Sequence, residues 1–280
     1  MSAFAPTGTM RTTSTGSMVR PMQRIIGTAY LLLVVVFLAL PALLVVLVSF
    51  DTANYMQFPP SGFTLKWYQV ILSSDTMRLA IINSAIVGVV STLLSIILGV
   101  PAALYIARSQ FPGRDTLYAF LLSPMAVPWI VYGLALLYLW SAASISRDLN
   151  VIIIGHTVMG VPYVIRTCVA VLSGISPSYD LAARTLGARR WQAFAFVTLP
   201  MMRSGIVAGA VFCILLSFIN VPVPLFLTTS SSVTIQVAVF SYLLSNYDPG
   251  VAAISTIQLL IILLALYIAQ RVANVREFIL

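Results

Sequence analysis

Charge is scarce in this chain of 280 residues: 8% are Asp, Glu, Lys or Arg, against 60% hydrophobic. Soluble domains carry about a quarter charged residues, so this balance describes an integral membrane protein. Lysine occurs once, as Lys66. No G-x4-G-K-[ST] phosphate loop is present, which removes ATP hydrolysis by that route. Histidine also occurs once, as His156, with no carboxylate near it on the same helix, so a metal site is not expected. Ser146 and Ser173 have no nucleophile motif around them, and no aspartate pair lies within a span; an intramembrane hydrolase has nothing to work with. Cys168 and Cys213 both sit in apolar runs and read as small packing residues rather than a disulfide. The acidic residues (Asp51, Asp75, Asp115, Asp148, Asp180, Asp248 and Glu277) all fall in loops or the terminal segment. Ion-driven transporters commonly keep carboxylates inside the bilayer. A secondary transporter or channel working alone is therefore the alternative reading, without its usual residues.

What the chain does have is long apolar runs. Residues 1–24, rich in Ser, Thr and Gly with Arg11, Arg20 and Arg24, read as a disordered cytoplasmic tail, and 25–280 as an all-α transmembrane domain. Thr28–Phe50 would give about 35 Å of helix, enough to cross the hydrocarbon core and longer than a signal-peptide core. Further spans are expected at about 79–107, 116–140, 151–175, 205–227 and 251–272, six in all counting 28–50. Pro124 and Pro128 should kink the third. In the loop after the first span, Trp67 and Tyr68 suit the membrane interface. Between the last two spans, VTIQVAVFSYLL is too short to cross. It reads either as a re-entrant or interfacial helix or, from its alternating β-branched residues, as an extended stretch.

Charge placement orients these spans. Arg11, Arg20, Arg24, Arg108, Arg114, Arg184, Arg189, Arg190, Arg203, Arg271 and Arg276 fall on one side; Lys66, Arg78 and Arg147 fall on the other. This is the positive-inside pattern, with both termini cytoplasmic, and it leaves no need for a nucleic-acid partner. Arg166 lies inside the fourth span, where a charge costs about 3 kcal/mol on insertion scales, and should face a protein interface or an aqueous cavity. His156 reads as an interfacial hydrogen-bonding group. Asn83, Ser84 and Asn220 are helix–helix hydrogen-bonding residues by default. Asn83, Arg166 and Asn220 are also the candidates for lining a pathway. Gly205, Ala208 and Gly209 permit close helix approach, either within the chain or at a subunit interface.

The longest charged segment outside the spans is Ser176–Pro200, SPSYDLAARTLGARRWQAFAFVTLP. Ser176 suits a helix N-cap and Pro177 the first helical position. Asp180 and Arg184 have ion-pair spacing on one face. Gly187 can take the left-handed conformation that ends a helix over Pro177–Leu186. A second helix from about Arg189 should stop by Thr198, ahead of Pro200. The pattern AA-x3-G-x9-V-x-LP (Ala182, Ala183, Gly187, Val197, Leu199, Pro200) resembles the EAA loop of permease subunits in bacterial ABC importers. In that family the loop forms the coupling helix seated in a groove of the cytoplasmic ATPase. The family's glutamate position is occupied here by Leu181, with Asp180 one residue before it.

The resemblance runs from the first span to the end of the sixth. FPPSGFTLKWY (Phe58–Tyr68), INSAIVGVVST (Ile82–Thr92) and YDPGVAAIST (Tyr247–Thr256) look most like the spermidine/putrescine-type subgroup; opine, iron and phosphonate systems look similar there. Membership implies a six-span type I importer permease in the bacterial inner membrane. The implied partners are a second permease subunit of related sequence, two ATPase subunits that carry ATP and Mg, a periplasmic binding protein and membrane lipid. No cofactor and no catalysis are implied on this chain. The coupling residues it points to are Asp180, Ala182, Ala183, Arg184, Gly187, Arg190, Leu199 and Pro200. A cationic polyamine would suit acidic outer groups such as Asp51 and Asp248.

Overall fold

A computed structural model describes residues 19–273. Among them every regular element is helical. The first helix, α1 (Val19–Val48), belongs to a compact unit of its own, 1–47; a second unit covers 48–280. The last six residues of the expected tail, 19–24, are thus helical, and residues 1–18 lie outside the described part. Along α1 the large apolar side chains from Ile25 to Leu33 are exposed, as expected of a face covered by lipid acyl chains.

The second unit is built around three spans: α3 (Asp75–Arg108), α6 (Leu149–Ser173) and α10 (Arg203–Ile219). The α3 and α6 helices run in the same sense and α10 runs against them. Lipid tails provide no hydrophobic force between helices, so close contact of small residues does the work. A Cβ on Gly209 would stand 2.9 Å from the Val164 Cα, so the α10 backbone rests directly on α6. Gly205 meets α6 one turn earlier. Cys168 and Cys213 are buried thiols in the same core, packed among Val100, Val164, Ile165 and Leu172.

Two of the expected spans are broken. The third consists of α4 (Arg114–Leu122), a 3₁₀ turn at Ser123–Ala126, and α5 (Trp129–Ala142), with a 97° bend between its halves. Pro124 and Pro128 punctuate the break, and Val127 is extended as a residue before proline should be. The fifth, expected as one run over 205–227, ends at Ile219 and restarts as α11 (Pro222–Leu227). Pro222 has no N–H to continue the α10 ladder. Asn220 turns extended instead, and its Oδ1 accepts the Val223 N–H at 3.0 Å. Four helices, α1, α3, α6 and α13 (Gly250–Ala273), are each long and apolar enough to cross a membrane; counting 114–126 with α5, and 190–201 with α10, as one bent span each brings the possible number to six.

The remaining pieces are α2 (Lys66–Ser73) and α12 (Ile235–Ser245). Thus the 233–244 stretch is helical from Ile235 onward, with Thr234 extended ahead of it, and forms no strand. Its start is held by α3. Asn83 Nδ2 donates to the Ser231 and Val233 carbonyls at 3.1 and 2.9 Å, and Ser84 Oγ accepts the Ile235 N–H at 2.7 Å. In return, α12 and α13 repair the open end of α10. Its last carbonyls have no helical partner in a setting without water. Gln236 Nε2 donates to the Ser217 carbonyl and Gln258 Nε2 to the Phe218 carbonyl, each at 2.7 Å.

Candidate coupling site

The loop after α6 folds into two short helices about Gly187. Helix α7 (Ser178–Thr185) starts one residue later than expected, and Ser176 Oγ accepts the Ser178 N–H at 3.3 Å. The helix closes with a Schellman pair: Gly187 N–H to the Arg184 carbonyl at 3.0 Å, and Ala188 N–H to the Ala183 carbonyl at 3.1 Å. Gly187 takes φ +94°, a conformation that side chains with a Cβ resist. The chain restarts at α8 (Arg190–Ala193), where Gln192 Oε1 accepts the Arg189 N–H at 2.7 Å.

The second helix does not stop before Pro200. A π turn over Phe194–Thr198 leads into α9 (Leu199–Met201), so Leu199 and Pro200 are helical. Leu199 N–H reaches five residues back to the Phe194 carbonyl. The wider turn leaves the proline ring room that an α turn would deny it. A 67° bend then separates this segment from α10.

The loop presents apolar side chains to the outside: Leu186, beside the glycine hinge, is 90% exposed, Phe196 72% and Leu181 57%, with Tyr179 and Trp191 near them. Ala182 is exposed and Ala183 half-buried, so the alanine pair marks the edge between the outward and inward faces of α7. The expected Asp180–Arg184 ion pair is not formed. Asp180 is half-buried and Arg184 exposed, and both line a cavity of about 700 Å³ instead. Leu181, at the family's glutamate position, stands a ~100° helix step from Asp180 and borders the same cavity. Arg190 lines the same cavity.

The pathway candidates part ways. Asn83 and Asn220 are 5% and 2% exposed and spend their amides on the loop before α12 and on α11. Arg166 is exposed on α6, with no hydrogen bond or ion pair in this chain among the described residues. His156 is buried between spans, its Nδ1 3.0 Å from Ser217 Oγ. Sequence reasoning missed Gln236 and Gln258, because their role depends on the unforeseen break after Ile219.

The two aspartates expected to face a cation, Asp51 and Asp248, serve their own loops instead. Asp51 is fully buried, and its Oδ1 accepts the Ala53 and Ser61 N–H groups and the Ser61 hydroxyl at 3.1, 3.0 and 2.8 Å. Burial disfavours its charge, but these hydrogen bonds outweigh that effect and hold the carboxyl below the ordinary aspartate value. Trp67 Nε1 donates to the Asp51 carbonyl at 2.8 Å, fastening α2 to the same loop. Asp248 accepts the Tyr242 hydroxyl at 3.0 Å and the Gly250 N–H at 2.9 Å.

Residues 95–276 match the family described as binding-protein-dependent transport system inner membrane component. The chain is 25% identical to the spermidine/putrescine transport system permease protein PotC of Escherichia coli (strain K12), over 90% of this chain and 95% of that one. It is 27% identical to the putrescine transport system permease protein PotI of the same organism, over 81% of this chain and 83% of that one. Among solved structures, it resembles a chain of a bacterial ABC transporter involved in the import of the acidic polysaccharide alginate. The TM-score is 0.69 at 17% identity, covering 91% of this chain and 98% of that one. At that identity the likeness concerns the fold.

Proposed function

This chain belongs to the family of binding-protein-dependent transport system inner membrane components, and from that premise we propose that it moves a polyamine or a related small solute inward by alternating access. It is a permease subunit of an ABC importer. The motor is borrowed: two ATPase subunits carry ATP and Mg, and this chain performs no covalent chemistry. A second permease of related sequence forms the opposite wall, and a periplasmic binding protein delivers the solute. Residues 25–280 form the permease domain and 1–24 a tail. Both termini and the 176–200 loop are cytoplasmic, a placement supported by the arginine distribution.

The observation that carries the coupling role is the loop itself. Two short helices are locked about Gly187 by a Schellman pair, with Leu186 at the tip almost wholly exposed. An exposed apolar anchor on a stiff hinge suits a groove in a partner. Asp180, Ala182, Ala183, Arg184, Gly187, Arg190, Leu199 and Pro200 carry ATPase closure into α6 and α10, which the loop joins directly. Because Asn83 and Asn220 are internally bonded, Arg166 is the pathway candidate that remains free to face the second permease or the cavity between them. Loaded binding protein and ATP closure open the cavity outward; hydrolysis and release return it inward.

Gentle-detergent co-purification of the tagged chain, with mass spectrometry of what accompanies it, tests this reading. An ATPase and a second permease should come with it, and Gly187→Val should weaken ATPase retention. A chain that purifies alone and takes up solute under an ion gradient would belong to a self-sufficient transporter instead.

A further inference from the structure

The 700 Å³ cavity behind the coupling loop is lined by four guanidinium groups, Arg108, Arg114, Arg184 and Arg190, and by one carboxylate, Asp180. Asp180 forms no ion pair with any of them among the described residues. Two of the arginines are fixed in place by helix-end carbonyls: Arg108 Nη1 donates to Ile175 O at 2.9 Å, and Arg114 Nε donates to Ile106 O at 2.7 Å. These bonds satisfy carbonyls at the ends of α3 and α6 and leave the other N–H groups of both forks unused. Among the described residues, the Arg184 and Arg190 guanidinium groups donate to nothing. Four cations against one carboxylate leave the cavity lining with a net positive charge.

We propose that this cavity binds a phosphate-bearing anion at the cytoplasmic edge of the membrane. Several planar forks suit a tetrahedral phosphate better than point charges would. The volume is within the range of small-ligand pockets and exceeds what a lone carboxylate side chain fills. Part of its wall is apolar, Leu104 and Ala107 in the last turns of α3. A basic pocket at the cytoplasmic ends of spans is where anionic lipid headgroups are held. The phosphodiester of an anionic phospholipid and a free phosphate-bearing solute share this chemistry. The bound anion would tie α7 to the ends of α3 and α6, so that the loop and the spans move as one piece. The proposal rests on the coupling role given to the loop.

The test uses the importer purified with its partners. Native mass spectrometry compares retention of phosphatidylglycerol and phosphatidylcholine in wild type and in Arg184→Gln/Arg190→Gln. Wild type should prefer phosphatidylglycerol, and the double variant should retain about thirtyfold less, at about fivefold per arginine. Asp180→Asn, which keeps every arginine, should raise retention, so a poorly folding double variant does not end the test. In zwitterionic lipid alone, inorganic phosphate replaces chloride at equal ionic strength. A higher thermal midpoint in wild type but not in the double variant identifies a soluble anion; phosphatidylglycerol preference without that shift identifies the lipid. Equal phosphatidylglycerol retention in wild type and both variants, with no phosphate effect, overturns the proposal. So does loss of the ATPase from the double variant with anion binding unchanged, since the arginines then serve a partner's carboxylates. ATPase retention in Gly187→Val judges the coupling role separately, with every arginine in place.

Discussion

Asp51 shows how a loop carboxylate is committed to structure. Its three hydrogen bonds through Oδ1 favour the charged form. The folded value lies below the unfolded one, so the stabilisation is complete above the unfolded value and is lost as pH falls through the folded value. Limited proteolysis of the 51–65 loop should therefore accelerate in wild type only below the ordinary aspartate value of 3.8. In Asp51→Asn it should be fast and insensitive to pH. Identical pH profiles would deny the carboxylate its role. Gln258 makes a comparable case inside the membrane. Gln258→Leu leaves the Phe218 carbonyl without a partner, which should cost about 1–2 kcal/mol and lower the thermal midpoint in detergent. An unchanged midpoint would mean the carbonyl finds another donor.

At the scale of elements, the sequence announced itself where local chemistry alone decides the outcome. Gly187 was legible as a helix stop because φ +94° is open to glycine and resisted by residues with a Cβ. The kink at Pro124 and Pro128 was legible for a similar reason. The break after Ile219 was not, because INVPVP stays apolar on both sides and its repair by Gln236 and Gln258 is tertiary. Alternating Val233, Ile235, Val237 and Val239 kept an extended stretch open beside the favoured helix. The helix prevails because Ser84, far away in sequence, accepts its first N–H. Pro200 failed as a helix stop because a π turn absorbs it. The α6–α10 crossing offers its own check. Gly209→Leu would drive a side chain into the Val164 backbone and should abolish accumulation of folded protein in the membrane; Gly27→Leu, on the exposed α1, should not. Equal accumulation would show that the helices can separate at no cost.

Over the whole molecule, the chain's absences and its longest charged loop agree. It has no phosphate loop, and its acidic residues lie in loops, at helix starts or in the terminal segment; the exposed loop about Gly187 joins two spans and offers Leu186 to a partner. The span pattern and the arginine distribution were legible because bilayer thickness and charge cost act on composition itself. The cavity of arginines was not, since its walls come from the ends of separate helices, as far apart in sequence as Arg108 and Arg190. In the proposed mechanism, motion of a separate ATPase reaches the spans through Gly187. Solute uptake should be measured in proteoliposomes holding the assembled importer, with wild type beside Gly187→Val. A β-branched residue at that φ costs about 1–2 kcal/mol and distorts the hinge. Uptake should require ATP in wild type and fall sharply in the variant, with the permease subunits still assembled. Undiminished ATP-driven uptake in Gly187→Val, or uptake by this chain alone under an ion gradient, would contradict the claim.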